Sequence, residues 1–171
     1  VFLGTYTNGE SKGIYSCRFD DASGMLSGFR LAAETPSPSF LALHPNGKFL
    51  YAVNETNDFS GEASGSVTAY RITDPSTGAL EKLNTVSSHG AHPCHLVLTP
   101  ENDAVTIANY TGSTVTTIEV RDDGSLGQTL NRILHKGSSV LKPRQAEPHP
   151  HAVNLDPANR FVFISDLGMD Q

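Results

Sequence analysis

The chain has 171 residues, and its 18 acidic against 12 basic side chains give a formal net charge of −6 that is spread without runs. That balance marks no nucleic-acid or anionic-membrane surface, and no apolar stretch is long enough to span a bilayer as a helix. Cys17 and Cys94 lack metal-site spacing and read as free, buried thiols; this favours a reducing, cytoplasmic setting, with residues expected ahead of Val1, where a leader would lie.

In chain order, Val1–Gly4 aligns with the later Tyr51–Asn54 and reads as the second strand of a repeat already under way. Gly13–Phe19 alternates apolar and polar residues, as a half-buried strand does. It is followed by the turn Asp20-Asp-Ala-Ser-Gly24, by Leu26, and by a strand near Phe29–Ala33. The same sentence then recurs. Ser39-Phe-Leu-Ala-Leu-His-Pro45 leads to Asn54, Cys94-His-Leu-Val-Leu-Thr-Pro100 to Asn109, and His151-Ala-Val-Asn-Leu-Asp-Pro157 to Asp166. Pro45, Pro100 and Pro157 are 55 and 57 residues apart. Gly65–Ile72 and Gly112–Val120 supply the third strands, and Lys82–Ser87 and Asn131–Lys136 the fourth. No segment shows sustained helical periodicity.

A period of about 50 residues built from short alternating strands is the mark of a β-propeller, each repeat forming one four-stranded blade. The expected fold class is therefore all-β. We read an incomplete blade at 1–35, blades at 36–88 and 89–138, and a half blade at 139–171. Because propellers close with roughly 4–8 blades, these three to three and a half blades are expected to belong to a longer chain, whose C-terminal blades are the partners of this one.

In such a blade the start of the first strand and the end of the second meet at one rim of the central channel. That rule places Ser39 beside Asn54-Glu55, His92-Pro-Cys-His95 beside Asn109-Tyr110, and Pro148-His149-Pro-His151 beside Asp166-Leu-Gly168 and Asp170. Four of the seven histidines thus gather at one mouth. Because Asn54, Asn109 and Asp166 recur in register, turn-tying to backbone N–H groups is the leading role of Asn54 and Asn109, and at Asp166 it stands level with ligand contact, whereas His44 belongs to turns on the opposite rim, and His89 and His135 fall at outer strands and are expected at the surface. The pairs His92/His95 and His149/His151 suit acid/base chemistry. A transition metal is the lesser alternative, since prolines interrupt the pairs and only Glu55, Asp166 and Asp170 could complete it. No Gly-x-Ser-x-Gly elbow supports a serine nucleophile.

Thr5-Tyr-Thr, His44-Pro-Asn-Gly-Lys-Phe-Leu-Tyr-Ala-Val-Asn-Glu55, Ala91-His-Pro-Cys-His95, Ala108-Asn-Tyr110 and above all Arg144-Gln-Ala-Glu-Pro-His-Pro-His151 running into Asp166-Leu-Gly-Met-Asp170 together resemble the lactonase family of seven-bladed β-propellers. That family includes bacterial 6-phosphogluconolactonases and is similar to the fungal carboxy-muconate lactonizing enzymes. The resemblance implies seven blades in the complete protein. It also implies hydrolysis of 6-phospho-glucono-1,5-lactone in the pentose phosphate route, without metal or organic cofactor. By resemblance to the muconate branch, His151 is expected as general acid/base with His149 positioning it or the substrate. Arg144 and Gln145 are expected to bind substrate, with Glu55, His92, Asn109 and Asp166 behind them. Further catalytic groups would come from later blades, so this chain alone is expected to be inactive. The rival readings are a non-catalytic binding propeller, a muconate-type cycloisomerase, or another sugar lactonase.

Overall fold

The computed structural model describes residues 1–171, and every regular element in it is a strand. In order these are β1 (Phe2–Leu3), β2 (Gly13–Asp20), β3 (Met25–Glu34), β4 (Leu41–Leu43), β5 (Phe49–Asn54), β6 (Ser66–Asp74), β7 (Ala79–Ser87), β8 (Pro93–Leu98), β9 (Ala104–Asn109), β10 (Thr114–Val120), β11 (Leu126–Leu134), β12 (Pro150–Leu155) and β13 (Val162–Asp166). They form four antiparallel meanders: β1-β2-β3, β4-β5-β6-β7, β8-β9-β10-β11 and β12-β13. Each outer strand starts earlier than the sequence pattern suggests, directly after the Gly-containing turn; register shifts in the β2/β3, β6/β7 and β10/β11 pairings let the long outer strands follow the twist.

The meanders stack face to face as blades. In β5 all six residues are buried, because the sheet is covered on both sides. Alternation then divides them: Leu50 and Ala52 pack with Ile14 of the preceding blade, whereas Phe49, Tyr51 and Val53 join Leu96, Val105, Ile107, Ile118 and Leu126 of the following one. A smaller cluster of Ala108, Val115 and Val153 joins the third meander to the fourth. One contact is especially close. Gly124 sits at φ +85 with its Cα against the Phe49 ring, where a Cβ would collide, and its carbonyl accepts the Tyr51 hydroxyl at 3.1 Å. On the far side of the fourth meander Phe161 and Phe163 are 60% and 61% exposed; in repeat register they correspond to Phe49 and Tyr51.

The blades are also clipped at the rim. The Asn54 amide donates to the Pro36 carbonyl at 2.7 Å and to Thr35 Oγ1 at 2.8 Å, while its oxygen accepts from Thr68 and Ser66. The Asn109 amide donates to the Ser88 carbonyl at 3.0 Å. Both side chains are buried and structural, but they donate across the blade junction and do not accept from the backbone N–H groups of a turn, which corrects the turn-tying expectation. The expectation that Asn109 contacts substrate is corrected accordingly, since its amide is spent on Ser88, Thr114 and Thr116.

Candidate active site

A cavity of about 750 Å³ opens at the rim where β4, β8 and β12 begin and β5, β9 and β13 end, within the size range of small-molecule sites. Its wall includes Tyr6, Ser39, Glu55, Cys94, Tyr110, Arg144, His151, Asp166, Leu167 and Asp170. Three of these share one structural position. Pairing jumps from Pro93↔Asn109 to His95↔Ala108, and from Pro150↔Asp166 to Ala152↔Ser165, so Cys94 and His151 are the extra residues of equivalent β-bulges. Ser39 holds the same register in its blade. A bulge re-aims one side chain without disturbing the ladder on either side, and here each one faces the cavity. The residues after the second strands, Glu55, Tyr110 and Leu167, line it from the other side.

The chemistry is divided around the wall. At one side Glu55 Oε2 accepts from Ser39 Oγ at 2.5 Å and from Tyr6 Oη at 2.8 Å. Burial first, then Glu55 as hydrogen-bond partner and charge, holds the Tyr6 phenol above its ordinary pKa. Cys94 donates to the His151 carbonyl at 3.5 Å. Burial, with Glu55 adding to it, pushes the Cys94 thiol up to about 12, so it stays protonated near neutral pH and is no nucleophile. At the other side the Tyr110 ring stacks on His149, centroids 4.4 Å apart and 9° from parallel, and meets His151 edge-on at 5.7 Å. Arg144 Nη2 donates to the Tyr110 hydroxyl at 3.3 Å, which holds a guanidinium at the cavity mouth.

His151 and Arg144 face the cavity, as does Glu55. Asp166 reaches its edge, although its carboxylate is buried and its oxygens are taken by His149, Gly168 and Met169 N–H groups and by His135. Burial alone would raise the Asp166 carboxyl; those hydrogen bonds outweigh it and hold the group below the usual range. Three expectations need correction. His149 is buried under Tyr110 and donates Nδ1–H to the Tyr110 carbonyl at 3.2 Å, so it braces the wall and does not face the cavity. Gln145 is buried within its own loop, donating to the Leu167 carbonyl and accepting from Leu141 N–H, because a polar loop folded on itself needs internal partners. His92, held at φ +53, turns its ring to Thr111 Oγ1. His135 is likewise no surface residue, for its side chain is 15% exposed and bonded to Asp166. Tyr6 and Tyr110 also line the cavity, and the recurrence of rim positions after each second strand is the sequence signal for Tyr110.

His95 tilts over Phe40 and accepts from Val153 N–H at 3.4 Å; burial, then the nearby His151, lowers its pKa. No group of three or more His, Cys, Asp or Glu side chains is spaced to hold a metal ion.

The profile of the family described as "Lactonase, 7-bladed beta-propeller" matches residues 1–171. The chain belongs to that family. Among curated relatives of this lactonase-family chain, the 6-phosphogluconolactonase of Bacillus subtilis is 35% identical over 99% of the chain, and that of Formosa agariphila is 29% identical over the same share. The chain spans about half the length of the curated relatives it matches, 47% in both cases. The structure of the Pseudomonas aeruginosa periplasmic gluconolactonase superposes with a TM-score of 0.89 at 35% identity, covering 99% of this chain and 47% of that one. A Bacteroides fragilis protein, named as a candidate 6-phosphogluconolactonase, gives a TM-score of 0.90 at 37% identity, covering 99% and 45%.

Proposed function

We propose that the complete gene product containing this sequence is a lactonase acting on 6-phospho-glucono-1,5-lactone, and that residues 1–171 build one side of its active site. The observation that carries the reading is the His151 imidazole. It is the one histidine on the cavity wall, it is presented by a bulge, and neither ring nitrogen is engaged in a hydrogen bond within the chain, which leaves the imidazole free. In the reaction His151 takes a proton from a water as that water attacks the lactone carbonyl. The tetrahedral intermediate then collapses, the ring C–O bond breaks, and the imidazolium returns the proton to the departing hydroxyl. Tyr110 fixes the edge of the imidazole, and Arg144 provides a forked donor for the phosphate. The donors for the oxyanion and the remaining cations are assigned to blades outside these residues, so residues 1–171 alone should show no turnover.

The same reading puts the protein in the cytoplasm, where Cys17 and Cys94, both free, stay reduced. No helix is long and apolar enough to cross a membrane. Recovery from a periplasmic fraction, the compartment of the Pseudomonas relative, would overturn this placement.

The test is hydrolysis of freshly generated 6-phosphogluconolactone by the complete gene product, beside His151→Ala and beside unphosphorylated gluconolactone. His151→Ala should lower kcat/KM by about 10²–10⁴ with the fold intact, and Arg144→Gln should erase the preference for the phosphorylated lactone. Turnover no faster than spontaneous hydrolysis would move the assignment to a binding propeller.

A further inference from the structure

The clamps between blades follow one pattern with one exception. Thr35, Ser88 and His135 each stand immediately after an outer strand, and Asn54, Asn109 and Asp166 each end the second strand of the next blade. At the first two junctions the asparagine amide donates, to the Pro36 carbonyl and Thr35 hydroxyl and to the Ser88 carbonyl. At the third the polarity is reversed. Asp166 has nothing to donate, and His135 Nδ1–H donates to its Oδ2 at 2.7 Å, with the two side chains 15% and 1% exposed.

The exchange of partners changes what the clamp can hold. With Oδ2 satisfied by His135, Oδ1 is turned to accept three backbone N–H groups: His149 at 2.8 Å, Gly168 at 2.9 Å and Met169 at 3.1 Å. Gly168 has the Glu147 carbonyl against its Cα, so the turn after β13 and the segment before β12 are in close contact. Leu167 N–H reaches the His149 carbonyl, and Gln145 ties the Arg144 loop to the Leu167 carbonyl. One carboxylate therefore sets the backbone on both sides of the cavity wall that carries Arg144, His151 and Leu167.

We propose that His135 is a positioning residue of the active site: by donating to Asp166 it orients the carboxylate that holds the 166–169 turn and the His149-Pro-His151 segment in place. This rests on the lactonase reading only for its catalytic readout. Without the donor, a buried carboxylate oxygen is left unpaired, and the carboxylate is drawn toward water and away from the three amides.

The experiment uses the complete gene product. His135→Leu removes the donor. His135→Asn keeps one, its amide nitrogen replacing Nδ1. The double variant with His135→Ser and Asp166→Asn installs the junction seen at Ser88 and Asn109. Amide hydrogen exchange at His149, Gly168 and Met169 is followed together with kcat, KM and the thermal midpoint. For His135→Leu, exchange at those amides should rise by about tenfold or more, and kcat should fall by about tenfold with a smaller change in KM. His135→Asn should stay within about threefold of wild type on both measures, a margin smaller than one lost hydrogen bond. Should His135→Leu fail to fold, the double variant decides: exchange at Gly168 and Met169 should rise, because the Asn109 oxygen of the junction it copies accepts no N–H, and wild-type protection there would overturn the proposal. Unchanged exchange in His135→Leu, or equal impairment of His135→Asn and His135→Leu, would overturn the proposal. Raised exchange in a protein that hydrolyses no lactone would uphold the clamp and reject the lactonase reading separately.

Discussion

Replacing Asn54 by Asp changes one atom's chemistry at a buried blade junction and leaves its shape alone. The native amide donates to the Pro36 carbonyl and to Thr35 Oγ1, while its oxygen accepts from Thr68 and Ser66. A carboxylate keeps the accepting half and loses the donating half. Each lost bond is worth about 1 kcal/mol net, and leaving the Pro36 carbonyl without a donor, facing a negative oxygen, costs about 1–3 kcal/mol more. The Thr35 hydroxyl can rotate to donate, which recovers one bond. The expected loss is about 2–4 kcal/mol at pH 7, or a fall in thermal midpoint of about 5–10 °C. The sign of the pH dependence follows from the same contacts. Desolvation and the facing carbonyl disfavour the ionised form, so the introduced carboxyl has a folded pKa above its unfolded value of about 3.9. The penalty is full above the folded pKa and shrinks as pH falls through it, since the protonated acid regains a donor for Pro36. Thermal unfolding of Asn54→Asp and wild type at pH 7 and pH 4.5 measures both. A loss below about 1 kcal/mol, or one that is the same at both pH values, would refute the account of the clamp.

Other consequences follow from single contacts. Gly124→Ala should cost about 2–4 kcal/mol, because it combines a left-handed backbone with a Cβ directed into the Phe49 ring; a thermal midpoint within a degree of wild type would contradict this. The Cys94 thiol, pushed up to about 12, should react with thiol reagents at pH 8 far more slowly than the same thiol in denaturant, because so little of it is thiolate although it lines the cavity; equal rates in the two states would contradict this. For an isolated 1–171 polypeptide, amides of β12 and β13 should exchange faster than those of β9 and β10, since Phe161 and Phe163 occupy the positions that Phe49 and Tyr51 bury against the next blade. Equal protection of the two sheets would show that the half blade needs no neighbour.

Much of this was legible in the sequence because propeller geometry repeats its demands. A buried sheet requires an apolar second strand, a turn requires its Pro and Gly, and a rim clamp requires a short polar amide or carboxylate, so Ser39, Cys94 and His151 fall into register in the sequence itself. What periodicity does not carry is the fate of a side chain within a loop. Gln145 and Arg144 are neighbours in one polar loop, yet one is consumed by the loop's own backbone and the other is free to reach Tyr110. His92 is turned aside by a left-handed φ that its sequence context does not announce. His135 reads from the sequence as a surface residue because its partner lies 31 residues later, across the segment that holds the Arg144 loop, and because it replaces a backbone carbonyl, which leaves no pattern in the sequence.

The arrangement separates support from chemistry by a single residue at each blade. Pro93 and Pro150 pair directly with the clamps Asn109 and Asp166 and keep the ladder in register. The next residue, lifted out by the bulge, is exempt from that pairing and can be a cysteine in one blade and a histidine in the next without altering a ladder bond. The same holds on the opposite side, where Glu55, Tyr110 and Leu167 each follow a clamp residue and differ completely in character. Chemistry can therefore vary around the channel mouth while the blades stay alike. The third junction is the place where the two functions meet: the clamp itself carries charge, and three backbone amides next to His149 and Leu167 depend on it. A change at Asp166 or His135 should therefore reach the cavity wall, whereas an equivalent change at Asn54 acts first on the packing of the blades.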